Sequence, residues 1–487
     1  MSRINTNIQS LIARRVLNAN NALVNRTLTR LSTGLRINTG KDDPAGLIIS
    51  ETLRSQKVAI QAATDNARRA DTLLAIAEGG LQEINALLLE LEDLVDRSAS
   101  TGGLSNDETA ANQLQIDSIL QTITRLSNST AFGGKKLLQG TLDFTTSSVA
   151  TTNIDDVKVN SSKIADGAFQ SVVVDVVTGS EFAFLSAHGL GTDSSGVLNS
   201  TLSASVTILV GGTFGTTSFT FASGTSTADM VTSVNASTQL TGISAITSAN
   251  AGGATAVVFS STAFGSNAFV SVEILGSGDG IQMVNAAGGD DTGVDGTMII
   301  NGQSATVDGL NASFRSGSLS LDLLLTQSFG TTDGGSTTFE ITGGGAIFNI
   351  APDIGLVGQE TIGIQSMGAG SLGNRNLGFL TTLESGGGNA LASSNFTAAQ
   401  RIVRKAIDQV SSLRGRIGAF QKNTLGASIN SLLVTLENTA AAESAIRDAD
   451  FAVEVSNLTR AQILVSSSTA ALQLANIQPQ NVLALLG

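Results

Sequence analysis

Two stretches of this chain repeat apolar or small residues at alternating steps of three and four, and they lie toward opposite ends. The first runs through Ile60, Ala63, Ala67, Ala70, Leu74, Ala77, Leu81, Ile84, Leu88, Leu91 and Val95. The second runs through Ala406, Val410, Leu413, Ile417, Phe420, Thr424, Ala427, Ser431, Val434, Asn438, Ala441 and Ala445. A stripe of that period is one face of a helix, and sustained over so many turns it is a coiled-coil seam that a second helix must cover. The economical solution is that the two ends cover each other, with the residues between them looped out from the junction. The fold class that follows is α+β: a long coiled-coil-like helical bundle made from both chain termini, with a β-rich inserted outer region. Within the bundle, the intrachain seam is assigned to Leu74, Leu81, Ile84, Leu88 and Leu91 against Leu413, Ile417 and Phe420.

Composition changes where the seam stops. Residues 142–389 contain 39 of the 53 glycines, and their apolar residues alternate, as in Val172-Val173-Val174-Asp175-Val176-Val177 and Ser218-Phe219-Thr220-Phe221. Short strands between Gly-rich turns follow, with one short helix at 227–239 after Ser226. A boundary between two β-rich lobes is placed near Ser277-Gly278-Asp279-Gly280. The organisation expected is therefore terminal helices at 1–43 and 450–487, a helical rod with a β-hairpin at 44–141 and 390–449, one outer lobe at 142–278, and a second with a return segment at 279–389.

Charge divides the same way. Residues 142–389 carry 4 Lys/Arg and 20 Asp/Glu, whereas residues 1–141 carry 15 and 14, and residues 390–487 carry 8 and 6. Such an acidic middle repels nucleic acid and anionic membrane and suits a solvated exterior. The near-neutral ends are free to pack against copies of themselves. No Cys is present, which excludes disulfides and thiol chemistry. The polar start, Met1-Ser2-Arg3-Ile4-Asn5-Thr6-Asn7, has no apolar core of the signal-peptide kind. No apolar run approaches the roughly 20 residues of a membrane span. Neither membrane insertion nor a nucleic-acid partner is expected.

Residues 1–40 read as a helix with a thin apolar stripe of Leu17, Val24, Leu28, Leu31 and Leu35. Its counterpart at 450–487 carries Val455, Leu458, Val465 and Leu472 and is broken by Pro479 near its end. Helices this polar are marginal alone, so both are expected to order on assembly, with these apolar positions packing between subunits. Arg14, Arg15, Arg26, Arg30 and Arg36 form a cationic row suited to carboxylates of neighbouring copies. Asp43-Pro44 starts the long helix, and Gly79-Gly80 inside it marks a close crossing or a bend. Thr101-Gly102-Gly103 is a turn. Asn106 or Asp107 caps the next helix, with Ile116, Ile119, Ile123 and Leu126 on its apolar face. Phe132-Gly133-Gly134-Lys135-Lys136 follows it.

At this point the ends of the chain resemble a known family. Ile4-Asn5-Thr6-Asn7, the run LTRLSTGLRINTGKDD from Leu28 to Asp43, and Pro44-Ala45-Gly46-Leu47-Ile48-Ile49-Ser50 are similar to the start of a bacterial flagellin. Ala475 to Leu486 (ANIQPQNVLALL) is similar to its end. In the middle, Ser218 to Ser226 (SFTFASGTS), Gly343-Gly344-Gly345-Ala346-Ile347-Phe348 and Ile362-Gly363-Ile364-Gln365-Ser366 resemble segments of flagellin and hook-protein inserts. The resemblance implies terminal helices lining a filament channel, a rod around them and an outward insert. It also implies an export chaperone on the C-terminal helix, a filament cap protein, and an extracellular place in the flagellum reached without a cleavable signal peptide. Flagellins recognised by the vertebrate innate receptor carry an Arg close before a Leu in this helix. Glu90 and Leu94 match that patch here, and Glu90 reverses its charge, so weak recognition is expected.

Residue types that carry chemistry are sparse. His188 is the sole histidine, and metal sites and acid–base triads need histidine in company. Asp155-Asp156 and Asp290-Asp291 read as solvated loop carboxylates. Gly343-Gly344-Gly345 lacks the following Lys-Ser/Thr of a phosphate loop and reads as a turn. No catalytic, metal-binding or cofactor-binding residue is assigned. The function expected is a structural subunit that polymerises into the extracellular helical flagellar filament for swimming. The alternative is a hook–filament junction protein of the same superfamily, distinguished by scarcity. An enzyme or adhesin displayed on a coiled-coil stalk would need a catalytic constellation or a secretion signal.

Overall fold

The computed structural model describes residues 6–100, 103, 105–165, 167–189, 201–202, 204–249, 255–275, 281–283 and 289–484. The Ile4-Asn5 start of the signature, the Thr101-Gly102 turn, the boundary at 277–280 and Leu485-Leu486 lie outside them. The helices are α1 (Ile8–Thr33), α2 (Pro44–Ser98), α3 (Asn106–Ser129), α4 (Thr227–Ala236), α5 (Thr238–Thr241), α6 (Gln327–Gly330), α7 (Phe396–Ala419), α8 (Gly426–Arg447) and α9 (Phe451–Ala484). The chain forms two compact units. One comprises Met1–Arg69, Asn349–Ile354 and Lys422–Gly487, the other Ala70–Phe348 and Gly355–Gln421.

Local chemistry sets most helix ends. Asp43 Oδ1 accepts the Gly46 N–H at 2.9 Å and Pro44 is the first helical residue of α2. α1 stops at Thr33 rather than near residue 40, because Gly34 takes the left-handed C-cap conformation (φ 72°) that a Cβ would disfavour. α3 begins one step before the expected caps: Ser105 Oγ accepts the Glu108 N–H, and Glu108 accepts the Ser105 N–H in return. α9 continues through Pro479 to Ala484, contrary to the expected break. The proline removes one donor from the ladder and the turns on either side stay helical. α2 crosses Gly79-Gly80 unbroken. A Cβ on Gly80 would lie 2.8 Å from Thr130 Oγ1 and 2.9 Å from Leu138 Cδ1, so this glycine permits a close approach, while Gly79 faces open space.

All eleven seam positions from Ile60 to Val95 are buried, as are Ala406, Val410, Leu413 and Ile417 on α7. Arg404–Glu92 and Arg414–Glu78, both at 2.8 Å, flank the α2–α7 contact. Beyond Ile417 the expected stripe fails. Phe420 is half-buried against Phe348 (ring centroids 6.3 Å apart) and opens a π-helical turn, Phe420–Leu425. After it the buried positions are Leu425 and Leu432, each one residue later than an α-helical continuation through Thr424 and Ser431 requires, and Leu436 is half-buried on the same face. Val434, expected on the seam, is 58% exposed. A π turn accommodates one extra residue and so moves the buried face along by one position.

The acidic middle forms two antiparallel sandwiches, nested rather than consecutive. In the proximal one, a sheet runs in the spatial order Gln303–Ser304, Thr297–Ile300, Gln170–Thr178, Ser336–Gly344, Phe144–Ser147. It shares a core with the sheet Thr306–Asp308, Asn311–Arg315, Leu319–Leu325, Ile154–Ser162. The distal sandwich pairs Ile281–Met283, Phe184–Gly189, Thr255–Ser261, Ile243–Ala249 with Asp290–Thr292, Phe269–Leu275, Val206–Gly212, Gly215–Phe221, and α4 packs on it. The expected division near 278 is therefore replaced by an insertion. Gln170–Thr178, which precedes that boundary, is held between two strands that follow it, Thr297–Ile300 and Ser336–Gly344. The distal lobe departs and returns where Glu181 and Val294 exchange backbone hydrogen bonds at 2.8 and 3.1 Å.

Candidate assembly surface

α1 and α9 run antiparallel. Asn7 Nδ2 donates to the Ala475 carbonyl at 2.8 Å, Asn20 Nδ2 to Ser468 Oγ at 2.6 Å, and Arg30 pairs with Glu454 at 3.0 Å. The face between them holds half-buried Leu17, Val24 and Leu31 from α1 and Leu458, Val465 and Leu472 from α9, with buried Thr27, Glu454, Ala461 and Ser468. Most of the residues assigned to packing between subunits thus lie on the intrachain seam of this pair. Leu35 is half-buried in the segment after α1, where it bridges Asp448. Leu28 and Val455 remain exposed, at 47% and 52%.

The larger apolar surface lies on the outer faces of the pair, which the sequence stripe did not single out. Ile8, Leu11, Ile12 and Val16 on α1 are all more than two-fifths exposed, as are Phe451, Val453, Ile463, Leu474 and Ile477 on α9. These helices are apolar on more than one face: a narrow stripe docks within the chain and a broader one is left over. That much uncovered apolar surface marks an interaction face. Of the arginine row, Arg30 is committed to Glu454 and Arg36 donates to the Ile446 carbonyl at 2.6 Å, while Arg14, Arg15 and Arg26 are exposed.

Between α1 and α2 the chain is fixed by groups that periodicity does not reveal. Ile37 is buried, and Asp42 accepts from Thr39 N–H and Thr39 Oγ1 at 3.0 and 2.9 Å. The Thr39 backbone bond, then its hydroxyl, holds the Asp42 carboxyl below the usual carboxylate range. Arg36 N–H donates to the Arg447 carbonyl and Ala449 N–H to that of Gly34, so the break after α1 is stitched to the break before α9.

The clefts in the other unit mix charged and apolar lining, and Arg416 Nη1 is buried there without a hydrogen-bond partner. One of about 580 Å³ is lined by Lys158, Arg315, Asp322, Lys405 and Arg416, among others. Asp322 accepts from Asn160, Ser313 and Arg315 at 2.6–2.8 Å. Burial raises its pKa, but these bonds outweigh that and hold it below the ordinary value. Asp143 goes the other way, raised chiefly by burial. Asp156 sits 3.4 Å from Lys158, and Asp291 accepts the Phe184 N–H at 2.8 Å. Of Gly343-Gly344-Gly345, expected as a turn, the first two end the strand Ser336–Gly344 and pair with Thr145 and Phe144, and only Gly345 is the bend before Ala346–Asn349. The backbone of His188 pairs with Gln282 in the distal sheet. Among the described residues no group of three or more His, Cys, Asp or Glu is placed to hold a metal.

Two positions on α2 bear on the receptor reading. Glu90 is exposed, but Leu94 is only 5% exposed, so the two do not form one surface patch. By length and composition α2 would also pass as a membrane span. The buried seam supplies part of that composition, and exposed Ile76 and Leu89 add to it.

Comparison with known proteins agrees with the terminal geometry. Residues 4–143 match the bacterial flagellin N-terminal helical region and residues 400–486 the C-terminal helical region. The chain is 30% identical to the B-type flagellin of Pseudomonas aeruginosa, covering 99% of both chains, and 30% identical to a flagellin of Salmonella rubislaw, again over 99% of both. A flagellin of Clostridium tyrobutyricum is 27% identical over 98% of this chain and all of its own. Among solved structures, a flagellar hook associated protein-3 from Legionella pneumophila aligns over 85% of this chain and 99% of its own with 11% identity and a TM-score of 0.23, too distant to carry an argument. End-to-end likeness to flagellins also disfavours the junction-protein alternative. With helical regions of the flagellin type at both termini and flagellin relatives matched along its whole length, the chain belongs to the bacterial flagellin family, structural subunits that polymerise into the extracellular helical filament of the flagellum.

Proposed function

We propose that the outer faces of α1 and α9 are the surfaces on which neighbouring copies of this chain close during polymerisation, and that the acidic sandwiches remain in solvent. The observation that carries this is the apolar surface of the α1–α9 pair that no intrachain partner covers, from Ile8 to Val16 and from Ile463 to Ile477. A contact of this kind is heterologous and does not close, so repetition extends it into a helix. The pair's own seam is thin and partly polar, through Asn20, Thr27 and Ser468. Its helices therefore gain much of their burial from other copies. Charge supports the same division: the net −16 of residues 142–389 keeps the exterior solvated, while the near-neutral ends pack without mutual repulsion.

Export without a cleavable signal, an export chaperone on the C-terminal helix and a cap protein at the growing end complete the proposal. They rest on the resemblance of the termini to the family. The test is seeded growth of the full chain followed by electron microscopy, beside a chain lacking 1–43 and 450–487. The full chain should grow fibres and the shortened one should remain monomeric. Fibres from the shortened chain would overturn the assignment. Limited proteolysis gives a second readout: α1 and α9 should be cut in the monomer and resist in the filament.

A further inference from the structure

The π-helical turn Phe420–Leu425 separates two stretches of helix that carry two different stripes. In the structure α8 places Leu432, with Leu436 half-buried beside it, against Ile60 and Ala63 of α2. The ion pairs Lys57–Glu443 at 2.7 Å and Glu51–Arg447 at 2.9 Å hold the same face. An uninterrupted α-helix from α7 would instead carry the 3-4 pattern on through Thr424, Ala427, Ser431, Val434, Asn438, Ala441 and Ala445. Both stripes are present in one segment. The first is rich in leucine and requires the π turn. The second is rich in small residues and requires none.

We infer that α8 is a two-register element. Converting the π turn to an α turn advances α8 by one residue, about 1.5 Å along and 100° around its axis. That step exchanges the leucine face for the small-residue face against residues 44–69 of α2. The observed register holds Leu425, Leu432, Leu436 and two ion pairs at the expense of a non-ideal turn. The alternative restores the regular ladder and brings the helices closer on Ala, Ser and Thr. The opposed terms make the balance reversible, and the register responds to whatever covers the outward face of α8. In the observed register that face includes exposed Leu433 and Val434.

The absence of cysteine makes the test clean. Three double variants of the full chain are compared under mild oxidation: Ile60→Cys with Leu432→Cys for the observed register, Ile60→Cys with Ser431→Cys for the alternative, and Ile60→Cys with Asn430→Cys as a control. Cross-linking at 60/432 should be fastest, and at 60/431 at least tenfold faster than at 60/430. Deleting Asn423 removes the extra residue and locks the leucine face inward as a continuous α-helix. In that background, 60/432 cross-linking should persist and 60/431 should fall to the control rate. A 60/431 rate equal to the control in the parent chain overturns the inference. So does a 60/431 rate that survives the deletion, because it would then report local breathing.

Discussion

Two adjacent glycines on α2 differ in what they permit. Replacing Gly79, which faces open space, with Ala should stabilise the fold by about 0.5–1 kcal/mol through helix propensity. Replacing Gly80 should destabilise it by about 1–3 kcal/mol, because the new methyl meets Thr130 and fully buried Leu138. Urea denaturation of the two variants should shift the midpoint in opposite directions. Two carboxylates show a similar contrast with pH. Asp322 has its pKa lowered, so its contribution is present above the ordinary carboxylate value and fades as pH falls through the folded-state pKa. Asp322→Asn should lose about 1–2 kcal/mol at neutral pH, a figure discounted because the side chain is 39% exposed, and should approach the parent in acid. Asp143 is raised by burial, so its ionisation opposes folding increasingly as pH climbs above the ordinary carboxylate value, and fully once pH exceeds the folded-state pKa. Asp143→Asn should therefore stabilise at neutral pH and converge with the parent below the ordinary carboxylate value. Chemical denaturation across pH follows both.

Among the helices, the parts legible from the amino acids are those in which spacing alone decides burial. Every seam position from Ile60 to Val95 is buried because the alternating three-four step is an intrinsic property of a straight helix. Phe420 to Ala445 obeys the same rule on paper and departs from it because one π turn, invisible to periodicity, moves the face by a residue. Caps were legible to within a step: Ser105 and Glu108 form the reciprocal pair, while Asn106 and Asp107 were the more conspicuous polar residues. Ser105→Ala should accordingly cost about 1 kcal/mol, and Asn106→Ala only a few tenths, in thermal unfolding. In the terminal pair the stripe was found but its role was divided. Leu17, Val465 and Leu472 serve the intrachain seam, and exposed Ile12, Val16 and Ile463 carry the surplus. A stripe records that a face is apolar, not which molecule covers it.

Strand pairing was the least legible feature of the whole chain. Alternation marks Gln170–Thr178 as a strand, but nothing local says that its neighbours are Thr297–Ile300 and Ser336–Gly344, more than a hundred residues later. Such contacts are chosen by tertiary closure, which is why a linear division near 278 gave way to a nested one. The nesting carries its own prediction. Excising residues 182–293 and joining Glu181 to Val294 through a short flexible link should leave the proximal sandwich and the helices intact. Circular dichroism and the capacity for seeded growth should both be retained, and loss of the proximal core on excision would show that the lobes are interdependent.

The adjacency of Glu181 and Val294 also bears on descent. A pair of neighbouring backbone residues is the narrowest possible doorway into a folded body. Whatever genetic exchange inserts there needs only ends that lie a few ångströms apart, and beyond them the host meets the lobe at a few side chains, such as Arg401 on the Gln239 carbonyl at 2.8 Å and Asp308 on Asn267 at 2.9 Å. Among the described residues, the distal lobe is in that sense tied to the chain backbone through a single strand-like bridge, Glu181 with Val294.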